Sequence, residues 1–455
     1  MNLSRFTHIY LLGIGGIGMS ALARYFNAHK KTVAGYDRTS TTLTSLLIEE
    51  GIHIHFDDDF EQIPNTFLNK NTTLIIYTPA IPVGHKELNF FKEKKYTILK
   101  RSEVLGLISH EKNCIAIAGT HGKTTVSSMA AHILNQGKKG CNAFLGGIAS
   151  NYNSNLILNE KSENMVVEAD EFDRSFLHLA PNLAVITSMD ADHLDIYSDH
   201  QSLKNSFQEF ANKVHPKGII LVKQGLEKNL ISKLPIYTYS IDRTSSDFRI
   251  SNLQLIDGNY QFTLLGPNLK IENIQLGMPG KLNVENAVAA AASAFLNGED
   301  PEIIKKALAS FKGVKRRMEF HIKRNDLVYL DDYAHHPEEL RASIQSVKAL
   351  YPDKKITGIF QPHLFSRTRD FLEGFAESLA LLDTLILLEI YPAREEPIPG
   401  INSTLLLNKT QLKNKILLRK DELIPYLKSH QAQIILSLGA GDIDLLVDEI
   451  KKAFE

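Results

Sequence analysis

The 455-residue chain has only two cysteines, Cys114 and Cys141. So few thiols exclude a disulfide framework and a Cys-rich zinc site. It also lacks a basic surplus: 51 Lys and Arg stand against 52 Asp and Glu, a formal net charge of −1. That balance argues against a protein built to grip nucleic acid, because sequence-independent affinity for phosphates comes from cationic side chains. No uncharged apolar run reaches the ~18 residues that a membrane span needs. The apolar stretch near the N-terminus runs directly into Gly13, so it reads as a strand entering a turn, not as a signal peptide. Pro/Gly/Ser-rich linkers, short repeats and low-complexity tracts are missing too. What is present is ordinary for a globular chain: 43% hydrophobic and 23% charged residues. At about 150 residues per domain the length suggests three domains. The expectation is a cytoplasmic multidomain protein in a reducing compartment, with neither nucleic acid nor membrane as partner.

Strand and helix patterns alternate over the first hundred residues. HIYLLGIGG, from His8, enters glycines; MSALARYFNAHK has helical spacing; KTVAGYD ends at Asp37; TLIIYTPAI and YTILKRSEVL follow. Alternation at this spacing implies a parallel sheet with crossover helices. A second strand–glycine–helix unit starts at Cys114, and two apolar runs, NMVVEADE and LAVITSMDADHLD, end in acidic residues. Unbroken apolar runs suit strands buried on both faces. LQLIDGNYQFTLLGPNLKIENIQL then alternates around Asp257-Gly258, the pattern of a small antiparallel meander, and ENAVAAAASAFL reads as a helix. Alternation resumes with LVYLDD, a helix from Pro337, KITGIFQP, TLILLEIYP and IILSLGAGDID. The expected fold is α/β in three domains: residues 1–105 Rossmann-like, 106–312 a P-loop-type parallel sheet with a small antiparallel sheet, and 313–455 Rossmann-like.

Two turns carry phosphate signatures. Gly13-Ile14-Gly15-Gly16-Ile17-Gly18 satisfies G-x-G-x-x-G between a strand and a helix, and Asp37 closes the next strand. Gly13, Gly15, Gly16, Ile17 and Gly18 would bring backbone N–H groups to a diphosphate at a helix N-terminus, and Asp37 could accept hydrogen bonds from a sugar or base. On this motif alone NAD(P), another nucleotide diphosphate, and plain helix–strand packing all remain open. Gly119-Thr120-His121-Gly122-Lys123-Thr124 is a shortened P-loop, with Ile117 where the longer form begins in glycine. Its backbone would cradle phosphates, Lys123 would reach the β/γ oxygens and Thr124 would bind Mg²⁺. Glu168 and Asp170 end one neighbouring strand, and Asp190, Asp192, His193 and Asp195 follow the next. Such oxygen-rich strand ends suit Mg²⁺.

The last third offers Asp331-Asp332-Tyr333-Ala334-His335-His336 and Gln361-Pro362-His363-Leu364-Phe365-Ser366-Arg367-Thr368-Arg369. Arg367 and Arg369 at a strand end suit a carboxylate or phosphate, or the ordinary role of salt-bridged helix charges. The pair His335-His336 has no obvious third metal ligand nearby.

Taken together, GIGGIGMSALA, AIAGTHGKTT, VVEADEFDRSFLHLAPNLAVIT, DADHLDIY, MPGKLNVENAVAA, RRMEF, DDYAHHPEE, FQPHLFSRTRD, EIYPAREEPIPG and LGAGDID resemble the Mur ligase family. FQPHLFSRTRD and DADHLDIY resemble its alanine-adding branch. The resemblance implies a UDP-sugar domain, an ATP domain and an amino-acid domain, in that order. It implies that Gly13–Gly18 hold the diphosphate of UDP-N-acetylmuramate, and that Gly119 to Thr125, including Thr120, His121, Gly122, Lys123 and Thr124, hold ATP. Thr124, Glu168 and His193 would bind Mg²⁺; Asn283 and Asn286 would contact adenine. Arg317, Asp332 and His335 would reach the nucleotide, and His363 and Arg367 would lie near L-alanine and the reacting carboxylate. Lys123, His193, His363 and Arg367 form the implied catalytic set. The implied product is an amide, made through an acyl phosphate, by a monomer or weak homodimer. A related ligase that attaches a preformed tripeptide is the nearest alternative, and an NAD(P)-dependent oxidoreductase a distant one. Two departures stand out. Leu364 replaces a basic residue found in many relatives, and neither Lys204 nor Lys213 matches the carbamylated lysine of several members.

Overall fold

A computed structural model describes residues 1–190, 197, 199–256, 258–393 and 395–455. The chain forms two compact units: Met1–Leu253, Gln261–Gln275 and Glu285–Lys312 in the first; Gln254–Tyr260, Leu276–Val284 and Gly313–Glu455 in the second.

The first unit opens with a five-stranded parallel sheet of β1 (His8–Leu12), β2 (Thr32–Tyr36), β3 (His53–His55), β4 (Thr73–Tyr77) and β5 (Thr97–Lys100), in the order β3-β2-β1-β4-β5. The chain leaves β1 toward β2 on one side and later fills the other side with β4, so Gly13 starts at the point where the winding reverses. That crevice is where open α/β sheets bind ligands. The helix that follows, Ile17–Ala28, buries Met19, Leu22, Ala23 and Phe26, the i, i+3, i+4, i+7 stripe of an amphipathic helix.

A ten-stranded sheet follows: β6 (Asn113–Ala118), β7 (Asn142–Ala149), β8 (Ser154–Ile157), β9 (Asn164–Ala169), β10 (Leu183–Ile186), β11 (Ile219–Lys223), β12 (Ile236–Ser240), β13 (Phe248–Ile256), β14 (Asn259–Gly266) and β15 (Leu269–Gln275). Parallel neighbours β9 and β10 flank β6. Cys114, Ile115, Ala116, Ile117 and Ala118 are fully buried, which explains the unbroken apolar run. The meander strands extend the same sheet, since β12 pairs parallel with the start of β13. Gly258 turns at φ +77°, and Asp257 lies outside the described residues. The β7–β8 hairpin grips the helix Ile17–Ala28 through buried Asn155. Its amide donates to Ser20 Oγ (2.9 Å) and to the Ile17 carbonyl, and its oxygen accepts from Arg24 (2.6 Å). Both glycine turns are thereby anchored to one framework.

The second unit holds a six-stranded sheet of β16 (Glu319–Lys323), β17 (Val328–Asp332), β18 (Ile356–Phe360), β19 (Thr384–Leu387), β20 (Lys415–Leu417) and β21 (Ile434–Leu438), ordered β16-β17-β21-β18-β19-β20. Only β16 runs antiparallel. Its helix Pro337–Leu350 starts as the sequence predicts, with Pro337 at the first position, where a missing N–H costs nothing. Among the described residues no helix is long and apolar enough to cross a membrane.

Candidate active site

The turn after β6 is held open by its neighbour. Gly119 sits at φ +137°, and a Cβ there would meet Thr187 Oγ1 at 2.1 Å and the Ser188 amide nitrogen at 2.8 Å. Only glycine fits that conformation and that approach. Ser188 Oγ lies 2.9 Å from Thr120 Oγ1 and accepts from the His121 amide at 2.7 Å. Gly122 (φ +82°) caps the helix Lys123–Gln136, whose residues from Thr124 to Leu134, Thr125 among them, are buried. A helix N-terminus with left-handed glycines before it presents N–H groups to an anion.

Two side chains at this turn have chemistry. Lys123 Nζ donates to the Gly119 carbonyl (2.7 Å) and to Glu171 Oε1 (2.9 Å). Burial would lower its pKa, but the carboxylates of Glu171, Asp170 and Glu168 raise it above the ordinary lysine value. Lys123 is therefore a fixed cation. Thr124 Oγ1 donates to Glu168 Oε1 (3.0 Å), and Glu168 Oε2 accepts from the Gly146 amide (3.0 Å). A hydroxyl and a carboxylate oxygen in contact beside a phosphate cradle are the hard donors Mg²⁺ prefers, so these residues fit that ion. Asp170 Oδ1 accepts from the Phe172 amide (3.1 Å). His193, with Asp192 and Asp195, lies outside the described residues. Asn286 Oδ1 comes within 2.9 Å of where a Gly122 Cβ would be, which places it against the turn. Asn283, three residues earlier on the same helix Lys281–Leu296, donates to the Pro279 carbonyl (2.6 Å) within the second unit. Sequence reasoning missed Glu171, Thr187 and Ser188.

In the first glycine turn, Asp37 Oδ2 accepts from the Gly15 amide (2.8 Å) and Oδ1 from the Thr39 amide (3.3 Å). Asp37 thus braces the turn itself. Gly16 caps the helix that begins at Ile17, and Gly18 lies against Arg101, a residue the sequence reading did not single out.

In the second unit, the ends of β17 and β18 bring His335 and His363 together, with ring centroids 6.3 Å apart. His335 Nδ1–H donates to the Tyr333 carbonyl (2.9 Å), and its backbone amide donates to Glu339 (3.1 Å). His363 stacks on Tyr391 (5.8 Å). Burial pushes both imidazoles down to about 4, and Arg367 adds to the effect on each. They are neutral at neutral pH. His336 diverges, capping its helix and packing edge-on against Phe371 (4.7 Å). Burial raises the Asp332 carboxyl to about 6, against the opposing charge of Arg317; Arg317 also lies over the Tyr333 ring at 5.0 Å. Leu364, at φ +72° and ψ 137°, occupies backbone space that a leucine avoids. It is held there by its amide donating to the Tyr391 carbonyl (3.0 Å) and by Thr368 Oγ1 donating to its carbonyl (2.8 Å).

A central parallel strand entering a glycine–lysine–threonine turn, with a neighbouring strand's carboxylate on the threonine, defines a P-loop nucleotide-binding protein. Comparison with known proteins narrows the class. Residues 8–113 match the Mur ligase family catalytic domain, 117–294 the Mur ligase middle domain and 316–442 the Mur ligase glutamate ligase domain. The chain is 52% identical over 456 residues to a UDP-N-acetylmuramate–L-alanine ligase of Flavobacterium psychrophilum, covering 100% of each. It is 49% identical over 454 residues to the like-named protein of Parabacteroides distasonis, covering 99% of this chain and 98% of that one. Its fold matches the UDP-N-acetylmuramate–alanine ligase of Thermotoga maritima with a TM-score of 0.84 at 25% identity, covering 98% of this chain and 99% of that one. A murein peptide ligase from Psychrobacter arcticus shares the fold, with a TM-score of 0.71 at 21% identity and 98% of both chains covered. The chain belongs to the Mur ligase family.

Proposed function

We propose that the protein is an ATP-dependent ligase that joins L-alanine to the lactyl carboxylate of UDP-N-acetylmuramate in peptidoglycan precursor synthesis. The observation that carries this reading is end-to-end identity of 52% to an alanine ligase, in a chain that keeps Lys123, Thr124 and Glu168 together at one phosphate-binding turn. An amide does not form directly from a carboxylate near neutral pH, because oxide is too poor a leaving group. The carboxylate attacks the γ-phosphorus of ATP, and ADP departs. The alanine amine then attacks the acyl phosphate, loses a proton and expels phosphate.

The chain's contribution is alignment and charge. In this reading residues 1–105 take the sugar nucleotide through Gly13–Gly18 and Asp37, residues 106–312 take ATP, and residues 313–455 take alanine. Lys123 offsets charge on the transferred phosphoryl group. Thr124 and Glu168, with His193, would hold Mg²⁺, which when bound would screen the phosphates from the attacking carboxylate. Asn283 and Asn286 serve the adenine. Arg317, Asp332 and His335 serve the nucleotide. His363 and Arg367 serve alanine and the reacting carboxylate. We place the enzyme in the cytoplasm, where its two buried free thiols stay reduced, as a monomer or weak homodimer.

ADP release measured against each substrate in turn tests the reading. Release should require both UDP-N-acetylmuramate and L-alanine. Turnover indifferent to the sugar nucleotide would make the protein a plain ATPase. Turnover that prefers a tripeptide to L-alanine would make it the recycling ligase.

A further inference from the structure

The third glycine of the first turn has a neighbour that the motif does not explain. A Cβ on Gly18 would meet Arg101 Nη1 at 2.1 Å and its Cδ at 3.1 Å. The guanidinium lies directly on the first turn of the helix that the glycines open. Arg101 is also the first residue of its own helix, Arg101–Ser109, where a cation is opposed by the positive end of the helix dipole. It is half-buried, and among the described residues its side chain makes no hydrogen bond or ion pair. The residue before it, Lys100, has Asp173 at 3.4 Å. Arg101, Ser102, Glu168 and Asp170 line one small cavity, with Phe176 and Leu179 as an apolar wall. Arg101 thus touches the first glycine turn and shares a cavity with Glu168, the carboxylate that contacts Thr124.

A half-buried, unpaired guanidinium at a helix N-terminus is a cost that an anion would offset. We infer that Arg101 is a substrate-binding residue that clamps an oxyanion of the sugar nucleotide, its diphosphate or its lactyl carboxylate, against the Gly16–Gly18 turn. Gly18 is then a glycine because the guanidinium occupies the place of its side chain. The inference rests on the reading that this turn takes the sugar nucleotide.

Calorimetric binding of UDP and of UDP-N-acetylmuramate to the wild type, R101M, R101K and G18A tests it. R101M should weaken binding ten- to a hundredfold, with R101K recovering part of the loss. G18A should weaken it as well while leaving the unfolding midpoint unchanged or higher, since alanine suits a helix better than glycine. Weakening of both ligands assigns the clamp to the diphosphate; weakening of UDP-N-acetylmuramate alone assigns it to the carboxylate. Affinities within threefold of wild type in both R101M and G18A overturn the inference. If R101M does not fold, G18A alone decides. A wild type that binds neither ligand overturns the underlying reading of the turn instead.

Discussion

After β1 the chain turns through Gly13–Gly16, and after β6 it turns through Gly119–Gly122; each central strand has a parallel neighbour on either side. The second turn is internally closed. Its lysine already holds a carboxylate, Glu171, and the Gly119 carbonyl. The first turn has an acid, Asp37, bound to its own backbone, while its nearby cation, Arg101, has no partner among the described residues. The same motif type thus rests in two states, one with its charge countered and one with its charge waiting. Two buried carboxylates in the same unit show a comparable difference in partners. Glu171 and Glu87 are both fully buried. Glu171 faces Lys123 at 2.9 Å. Glu87 faces the Tyr10 hydroxyl, which donates to it at 2.6 Å, and the His55 Nε2 at 3.5 Å.

The largest effect should come from the closed turn. K123A should lower the rate of ADP release by at least a hundredfold, about 3 kcal/mol or more of transition-state stabilisation. Activity within tenfold of wild type would remove Lys123 from the chemistry. K123A should also destabilise the fold, because it strands Glu171 without its cation; breaking one side of a buried pair costs about 3–5 kcal/mol. The double variant K123A/E171Q should recover most of that stability in urea unfolding and none of the activity. Recovery of both would mean that the lysine is structural.

Next in size is the contrast between the glycines. G119A must place a Cβ at positive φ against the Ser188 backbone, so it should cost roughly 3 kcal/mol or more of unfolding free energy. G18A meets only the far end of a flexible side chain, and should change stability by less than about 1 kcal/mol. Equal losses would show that backbone fit, not Arg101, fixes Gly18.

These contrasts also mark how far the sequence could be read. Strand–helix alternation is a local property, and all three sheets are built on such units, the first two through glycine turns. The P-loop was legible because Lys123 and Thr124 follow the strand in the chain. Glu171 was not. In the run Glu168-Ala169-Asp170-Glu171 a continuing strand would put Glu168 and Asp170 on one face, which favours Asp170 as the second acid. The strand instead stops at Ala169, Asp170 braces the next turn, and Glu171 faces Lys123. Arg101 was invisible for another reason: it approaches Gly18 from 83 residues away in the chain. In the second unit the pairing of His335 with His363 could be anticipated from two strand ends, whereas the strained backbone of Leu364 depends on the Tyr391 carbonyl, 27 residues later.

The smallest effect concerns the other buried carboxylate, and its sign follows from its partners. Burial raises the Glu87 carboxyl to about 8 despite the Tyr10 hydrogen bond. In the unfolded chain the same group titrates near 4.5. Between those values the folded state holds a proton that the unfolded state has released, so folding stability falls as pH rises. The contribution is complete below about pH 4.5 and is lost as pH passes through about 8. The slope has an upper limit of about 1.4 kcal/mol per pH unit. Between pH 5.5 and 7.5 the wild type should therefore lose roughly 2 kcal/mol that E87Q retains. Taking the difference between the two proteins cancels the buried histidines far from Glu87, such as His132, His335 and His363, whose lowered pKa values act in the opposite sense. Guanidinium unfolding of both proteins at the two pH values measures it. Equal pH dependence in wild type and E87Q would mean that Glu87 is ionised in the fold. It would then need a cation of its own, and the contrast with Glu171 would dissolve.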